Sequence, residues 1–256
     1  MHTRRRFLSS AAAAGGITLL PYRVNAASHG AHDSFASATG EVIVTPKSHA
    51  SFVMETPAGT IYVDPVGEAS LYADMPTPDL ILITHEHGDH YNPATLGAIA
   101  GADTVMISNP AVYSMLPAQM QAKTTSVGNG DSTSAIGVSV DAIPAYNTTQ
   151  ERLNFHPQGR DNGYVVTVDG LRIYISGDTE DIPEMRSLQN IDIAFVCMNL
   201  PFTMDAEAAA SAVNEFAPTY VYPYHYRGRD DGTQDPAKFA GMLEGDSEAK
   251  MGAWYG

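Results

Sequence analysis

The feature that most constrains this chain is a six-residue cluster, His85-Glu86-His87-Gly88-Asp89-His90. It follows the apolar run Leu80-Ile81-Leu82-Ile83, which reads as a buried strand. Three imidazoles and two carboxylates at one strand end are costly to hold together unless a cation uses them. Neutral imidazole nitrogens and carboxylate oxygens suit zinc, with manganese or iron as alternatives. Gly88 inside the cluster argues against a helical metal motif. In a tight loop consecutive side chains diverge, so His85 and His87 can serve one ion while Asp89 and His90 serve another.

Two later strand ends offer further ligands. Ile173-Tyr174-Ile175 runs into Ser176-Gly177-Asp178, and a carboxylate there can bridge two cations. His225 closes the strand Tyr220-Val221-Tyr222-Pro223. The first ion then lacks one ligand. His156, held extended by Pro157, is one candidate and Asn147 is the other. His49 and Asp64 are expected behind the ligands. Asp64, at the end of Ile61-Tyr62-Val63, can orient an imidazole through its second ring nitrogen. Tyr146, Arg160, Tyr226 and Arg227 lie near these residues in sequence and are candidates for substrate contact, which is otherwise unassigned.

The chain falls into three stretches. Residues 1–26 have the form of an export signal: the basic segment Thr3-Arg4-Arg5-Arg6 with a twin-arginine pattern, a short apolar stretch, and the small-residue site Val24-Asn25-Ala26. The apolar stretch is too short and weak for a membrane anchor. This predicts an exported, periplasmic or extracellular protein beginning at Ala27. Residues 27–40 are small and polar and read as a flexible start, and residues 41–256 read as one domain. Loss of Arg4, Arg5, Arg6 and Arg23 takes the formal charge from −15 to −19. Such an acidic surface disfavours nucleic acid and favours a small-molecule substrate. Cys197, the single cysteine, lies in the apolar run 191–197 and is expected in the core.

Within 41–256, β-rich stretches open each half and helical stretches follow. Asn92-Pro93, Asn109-Pro110 and Asp235-Pro236 each place a capping side chain before a proline, predicting helices near 93–100, 110–116 and 236–243. Asp205–Phe216 reads as an alanine-rich helix, and residues 163–168 and 171–176 as a hairpin over Asp169-Gly170. Residues 145–162 read as a long polar loop of the kind that carries function. Two sheets packed face to face with helices outside account for this order.

These motifs in order, Val63-Asp64-Pro65, the 85–90 cluster, Ser176-Gly177-Asp178-Thr179 and His225, resemble the metallo-β-lactamase-fold hydrolases. Ser48-His49-Ala50-Ser51 and Phe155-His156-Pro157 bring the chain nearer the small single-domain branch with ascorbate-6-phosphate lactonase-like and phosphodiesterase-like members. The resemblance implies an α+β fold, a four-layer αββα sandwich, with a dinuclear site at one edge. His85, His87 and a third histidine would hold one ion. Asp89, His90 and His225 would hold the other, with Asp178 between them. The implied activity is attack by a metal-activated hydroxide on an ester, lactone or phosphodiester, with Asp89 as the catalytic carboxylate. A non-catalytic metal sensor on the same scaffold is one alternative. A β-lactam hydrolase is another, although Cys197 is not where that branch places a ligand.

Overall fold

The computed structural model describes residues 32–255, so the 1–26 segment and residues 27–31 lie outside the described residues. The elements in chain order are β1 (Asp33–Ala36), β2 (Glu41–Ser48), β3 (Ser51–Thr56), β4 (Gly59–Val63), β5 (Leu80–Ile83), α1 (Pro93–Ile99), β6 (Val105–Ser108), α2 (Pro110–Met115), α3 (Ala118–Gln121), β7 (Thr124–Ser126), β8 (Ser132–Ala135), β9 (Val138–Ala145), β10 (Asp161–Val168), β11 (Leu171–Ile175), α4 (Pro183–Arg186), β12 (Ile193–Cys197), α5 (Ala206–Phe216), β13 (Tyr220–Tyr224), α6 (Pro236–Ala240) and β14 (Glu248–Ala249). No described helix is long and apolar enough to cross a membrane.

The strands form two seven-stranded sheets, β1 to β7 and β8 to β14, each in sequence order. In each sheet the first four strands pair antiparallel and the last four parallel. The two halves of the chain therefore repeat one topology. With helices outside both sheets, the fold is the αββα sandwich.

Residue alternation explains the layers. In β5, Leu80 and Leu82 face the space between the sheets, while Ile81 and Ile83 face the helices, where they meet Leu96 of α1, Val112 of α2 and Met120 of α3. Both faces are covered, so the strand is apolar throughout, as parallel strands in layered folds are. Between the sheets, Phe52 of β3 stacks on Phe195 of β12 with ring centroids 4.0 Å apart, and Phe195 stacks on Tyr222 of β13 at 4.9 Å. Cys197 is fully buried, as expected. The Asn-Pro and Asp-Pro signals cap as read: Asn92 accepts from Ala94 N and Thr95 N, Asn109 from Val112 N and Asp235 from Ala237 N.

Two expectations change. Residues 33–36 are not a flexible tail but strand β1, paired with β2. Phe35 anchors it by packing its ring on Tyr220 and Tyr222, an apolar contact across the sandwich hidden in a polar sequence context. The long loop is also shorter than expected, because Asp161 and Asn162 already belong to β10 and pair with Ala145 and Pro144.

The Phe52–Phe195–Tyr222 stack is the centre of the sandwich. Phe195→Ala should cost about 3–5 kcal/mol through lost burial and a cavity between the sheets. Denaturant unfolding followed by circular dichroism should show this as a lower midpoint with an unchanged slope.

Candidate metal centre

The centre lies where the carboxyl ends of the parallel strands of both sheets meet, the place where open α/β sheets bind ligands. The first sheet contributes Asp64 after β4 and residues 84–90 after β5. The second contributes Asp178 after β11, Asn199 after β12 and His225 after β13. His156 comes from the β9–β10 loop and His49 from the β2–β3 hairpin.

Backbone geometry aims several of these groups. His49, Asp64 and His225 all have left-handed backbones, with φ of 53°, 43° and 48°. Such conformations cost a non-glycine residue about 1–3 kcal/mol and persist where the surroundings impose them. Gly177, at φ +60°, lets the chain turn directly after β11: a Cβ there would lie 2.7 Å from Asn162 O. That close approach delivers Asp178 into the centre.

The donor atoms fall into three groups: His85, His87 and His156; His85, His90 and Asp178; and His49, Asp89 and His225. Asp178 spans them. Its Oδ1 lies 3.3 Å from His90 Nε2 and 3.4 Å from His225 Nε2, while its Oδ2 lies 3.4 Å from His156 Nε2. Asp89 Oδ2 lies 3.3 Å from His225 Nε2 and 3.4 Å from His49 Nε2. His90 Nε2, His225 Nε2 and Asp178 Oδ1 are buried and have no hydrogen-bond partner among the described residues. Three unpartnered polar atoms converging in a buried space are costly by themselves and fit a cation.

The outer atoms of the imidazoles are occupied. Asp64 Oδ2 holds His90 Nδ1 at 2.8 Å, and the same carboxylate accepts from Thr84 N and Thr84 Oγ1, both at 2.7 Å. Asp161 Oδ2 holds His156 Nδ1 at 3.0 Å, and Arg160 grips Asp161 through two nitrogens at 2.6 and 2.8 Å. The Asn199 amide nitrogen lies 3.0 Å from His225 Nδ1, Thr84 Oγ1 lies 3.0 Å from His85 Nδ1, and Tyr255 Oη lies 2.8 Å from His49 Nδ1. For His90, His156, His85 and His49 the partner oxygen can accept from Nδ1–H, leaving Nε2 for the centre, the arrangement that orients ligating histidines and fixes their tautomer, while the Asn199 contact positions the His225 ring. His87 differs, its Nδ1 facing His85 Nε2 at 3.1 Å.

Charge follows this geometry. Burial, reinforced by neighbouring histidines, pushes His85 well below its ordinary range and lowers His87, and burial lowers His225. These imidazoles are therefore neutral, the form that binds metal. Burial acts the same way on His90, but Asp178 and Asp64 on either side outweigh it and raise it. Burial would raise Asp178, and His225, His90 and His156 together hold it well below the usual carboxylate range. Asp89 is likewise held low against its burial by His225 and His49.

The structure brings together the side chains of His85, His87, Asp89, His90, His156, Asp178 and His225, and places Asp64 behind His90. His49 stands closer in than expected. Its ring packs on that of His225 with centroids 3.8 Å apart, and its Nε2 faces the centre beside Asp89. Asn147 instead ties down the loop, donating to the carbonyls of Arg152 and Phe202. Arg160 is engaged by Asp161 and Glu86, Tyr146 donates to Glu184, and Arg227 lies over the Tyr255 ring. Sequence reasoning missed Asp161, Asn199 and Tyr255. The dipeptide Arg160-Asp161, just before a strand and close to His156, was the available signal for the first; the other two are joined to their histidines only by tertiary folding.

The sequence pattern of the beta-lactamase superfamily domain matches residues 44–225. A metal-dependent hydrolase of Anaeromyxobacter dehalogenans is 32% identical over 236 residues, which cover 84% of this chain and 85% of that protein. A solved structure from Parabacteroides distasonis, of a protein assigned to the metal-dependent hydrolases, is 42% identical with a TM-score of 0.76, covering 86% of this chain and 97% of that one. A metallo hydrolase of Ignicoccus hospitalis shares the fold at 23% identity, with a TM-score of 0.67 over 82% of this chain and 94% of that one. The chain belongs to the beta-lactamase superfamily, as one of its metal-dependent hydrolases.

Asp64→Asn removes the charge behind His90 while keeping the shape. It should weaken metal binding about 10- to 100-fold, the usual cost of losing an outer carboxylate. Competition against a chromogenic chelator measures this directly.

Proposed function

We propose that the chain is an exported hydrolase of a small ester, lactone or phosphodiester, working with two divalent ions, zinc foremost and manganese or iron as alternatives. The observation that carries this is the convergence of His90 Nε2, His225 Nε2 and Asp178 Oδ1, all buried and unpartnered among the described residues, beside the His85–His87–His156 group. His85, His87 and His156 would hold one ion, and Asp89, His90 and His225 the other. Asp178 turns one oxygen toward each set and would lie between them. When bound, such a pair supplies a nucleophile from water at neutral pH and polarises the oxygen of the attacked group.

The chain's own residues then define the rest. Asp89 is held ionised by His225 and His49, so it can accept a hydrogen bond from the attacking water and orient it. Asp64, Asp161 and Asn199 keep His90, His156 and His225 in place, so little reorganisation accompanies the reaction. His156 and Asp178 line a cavity open to Asp89, whose side chain is 46% exposed, which admits a substrate of modest size. The acidic surface and the export signal at 1–26 support a small-molecule substrate met outside the cytoplasm.

Chelation should abolish hydrolysis across a panel of esters, lactones and phosphodiesters, and re-addition of zinc, manganese or iron should restore it for the native ion. His87→Ala and Asp178→Ala should each lower turnover by at least about 100-fold and reduce bound metal, as elemental analysis would show. Full activity in a metal-free preparation would refute the proposal. Export is tested separately: the protein recovered from the periplasm or medium should begin at Ala27, and an uncleaved cytosolic product contradicts it.

A further inference from the structure

The cavity above the centre is about 250 Å³. Asp89, His156 and Asp178 of the centre line it, together with Phe155, Phe202 and Arg229. Phe155 and Phe202 meet edge to face with centroids 5.1 Å apart. The Arg229 guanidinium lies over the Phe202 ring, 5.2 Å from its centroid. Arg152, Arg160 and Arg186 are committed to Glu180, Asp161 and Asp181, whereas Arg229 makes no ion pair among the described residues, although Asp230 and Asp231 follow it directly. Lys123, Arg172 and Arg227 also make no ion pair among the described residues, and of these four cations Arg229 is the one that lines this cavity.

Arg229 is also fixed in place from behind. Its N–H donates to Leu200 O at 3.0 Å, Leu200 N–H donates to Gly232 O at 3.0 Å, and Asn199 bridges to Thr233. The 228–232 turn sits so close to the 199–203 segment that a Cβ at Gly228 or Gly232 would lie 2.1 or 2.0 Å from Leu200 O. Two glycines thus allow a backbone contact that seats Arg229 beside Phe202. The same 199–203 segment carries Asn199, which holds His225, so the cation is coupled in space to the catalytic ligands.

We propose that Arg229 is the specificity-determining residue of this site and selects a substrate bearing an anionic group, a carboxylate or a phosphate, separated from the scissile bond by an apolar or aromatic stretch. This rests on the reading of the centre as hydrolytic. Phe155 and Phe202 take the apolar stretch, and the guanidinium takes the anion through its planar fork of donors. A neutral ester fills the aromatic wall without engaging the cation.

Binding tests this without requiring turnover. Dissociation constants for phenyl phosphate, 3-phenylpropanoate and the neutral 3-phenylpropanamide are measured by calorimetry on metal-loaded wild type, Arg229→Gln and Arg229→Lys. The wild type should prefer at least one anion over the amide. Arg229→Gln should weaken that anion about tenfold and leave the amide within about twofold, and Arg229→Lys should recover part of the loss. The better anion on the wild type distinguishes a carboxylate from a phosphate substrate. Equal weakening of anion and amide, unchanged anion binding in Arg229→Gln, or no anion preference in the wild type overturns the inference. Absence of wild-type turnover on every ester, lactone and phosphodiester would instead overturn the hydrolytic reading. Because Arg229 is exposed, an unchanged melting temperature and metal content should accompany both variants.

Discussion

The buried carboxylate of Asp64 is the constraint on which the centre depends. It is fully enclosed and accepts from the backbone and hydroxyl of Thr84 and from His90. Those contacts join the ends of β4 and β5 and fix where the 85–90 loop begins. An isolated carboxylate at this depth would be strongly unfavourable. Here both oxygens have donors, and one donor is an imidazole whose far nitrogen reaches the centre. The left-handed backbone at Asp64 is the local cost of turning its side chain inward from a strand end.

The same device recurs around the site with different chemistry. Asp161 holds His156, Asn199 holds His225, Thr84 holds His85 and Tyr255 holds His49. Charged outer partners serve His90 and His156, and neutral ones serve the others. A centre built from neutral imidazoles and a few carboxylates stays electrostatically balanced only when the outer charges are themselves compensated. Arg160 does this for Asp161, and for Asp64 the donors on Thr84 and His90 do it.

Much of this was legible in the sequence, for physical reasons that can be named. The 80–83 run announced a doubly covered strand because each of its four residues is apolar, and the histidine cluster at its end had no inexpensive use other than a cation. The capping side chains before Pro93, Pro110 and Pro236 fixed three helix starts, since capping is a local interaction. The third histidine of the first group stood between His156 and Asn147, because loop residues carry no periodicity. The structure places His156 with His85 and His87 and gives the Asn147 amide to the loop. What stayed hidden was tertiary: Phe35 anchoring β1 across the sandwich, and the 254–255 segment reaching His49, through Trp254 O on the His49 backbone and Tyr255 on its ring.

The repeated topology of the two sheets sharpens how the site divides its labour. β4 and β11 occupy equivalent places, each the last strand of an antiparallel set and the first of a parallel one, and each is followed by an aspartate. Asp64 lies behind His90, whereas Asp178, three residues past its strand and beyond a glycine turn, lies among the donor atoms. β5 and β12 are likewise equivalent, yet one is followed by three imidazoles and the other by Asn199, which holds His225, and Phe202, both lining the cavity. Two like halves thus meet at one edge and contribute unlike parts: the first most of the histidines, the second the spanning carboxylate, His225 and the wall that carries Arg229. A centre assembled this way cannot form until both sheets are packed, so the sandwich core and the donor set are aspects of one folding event.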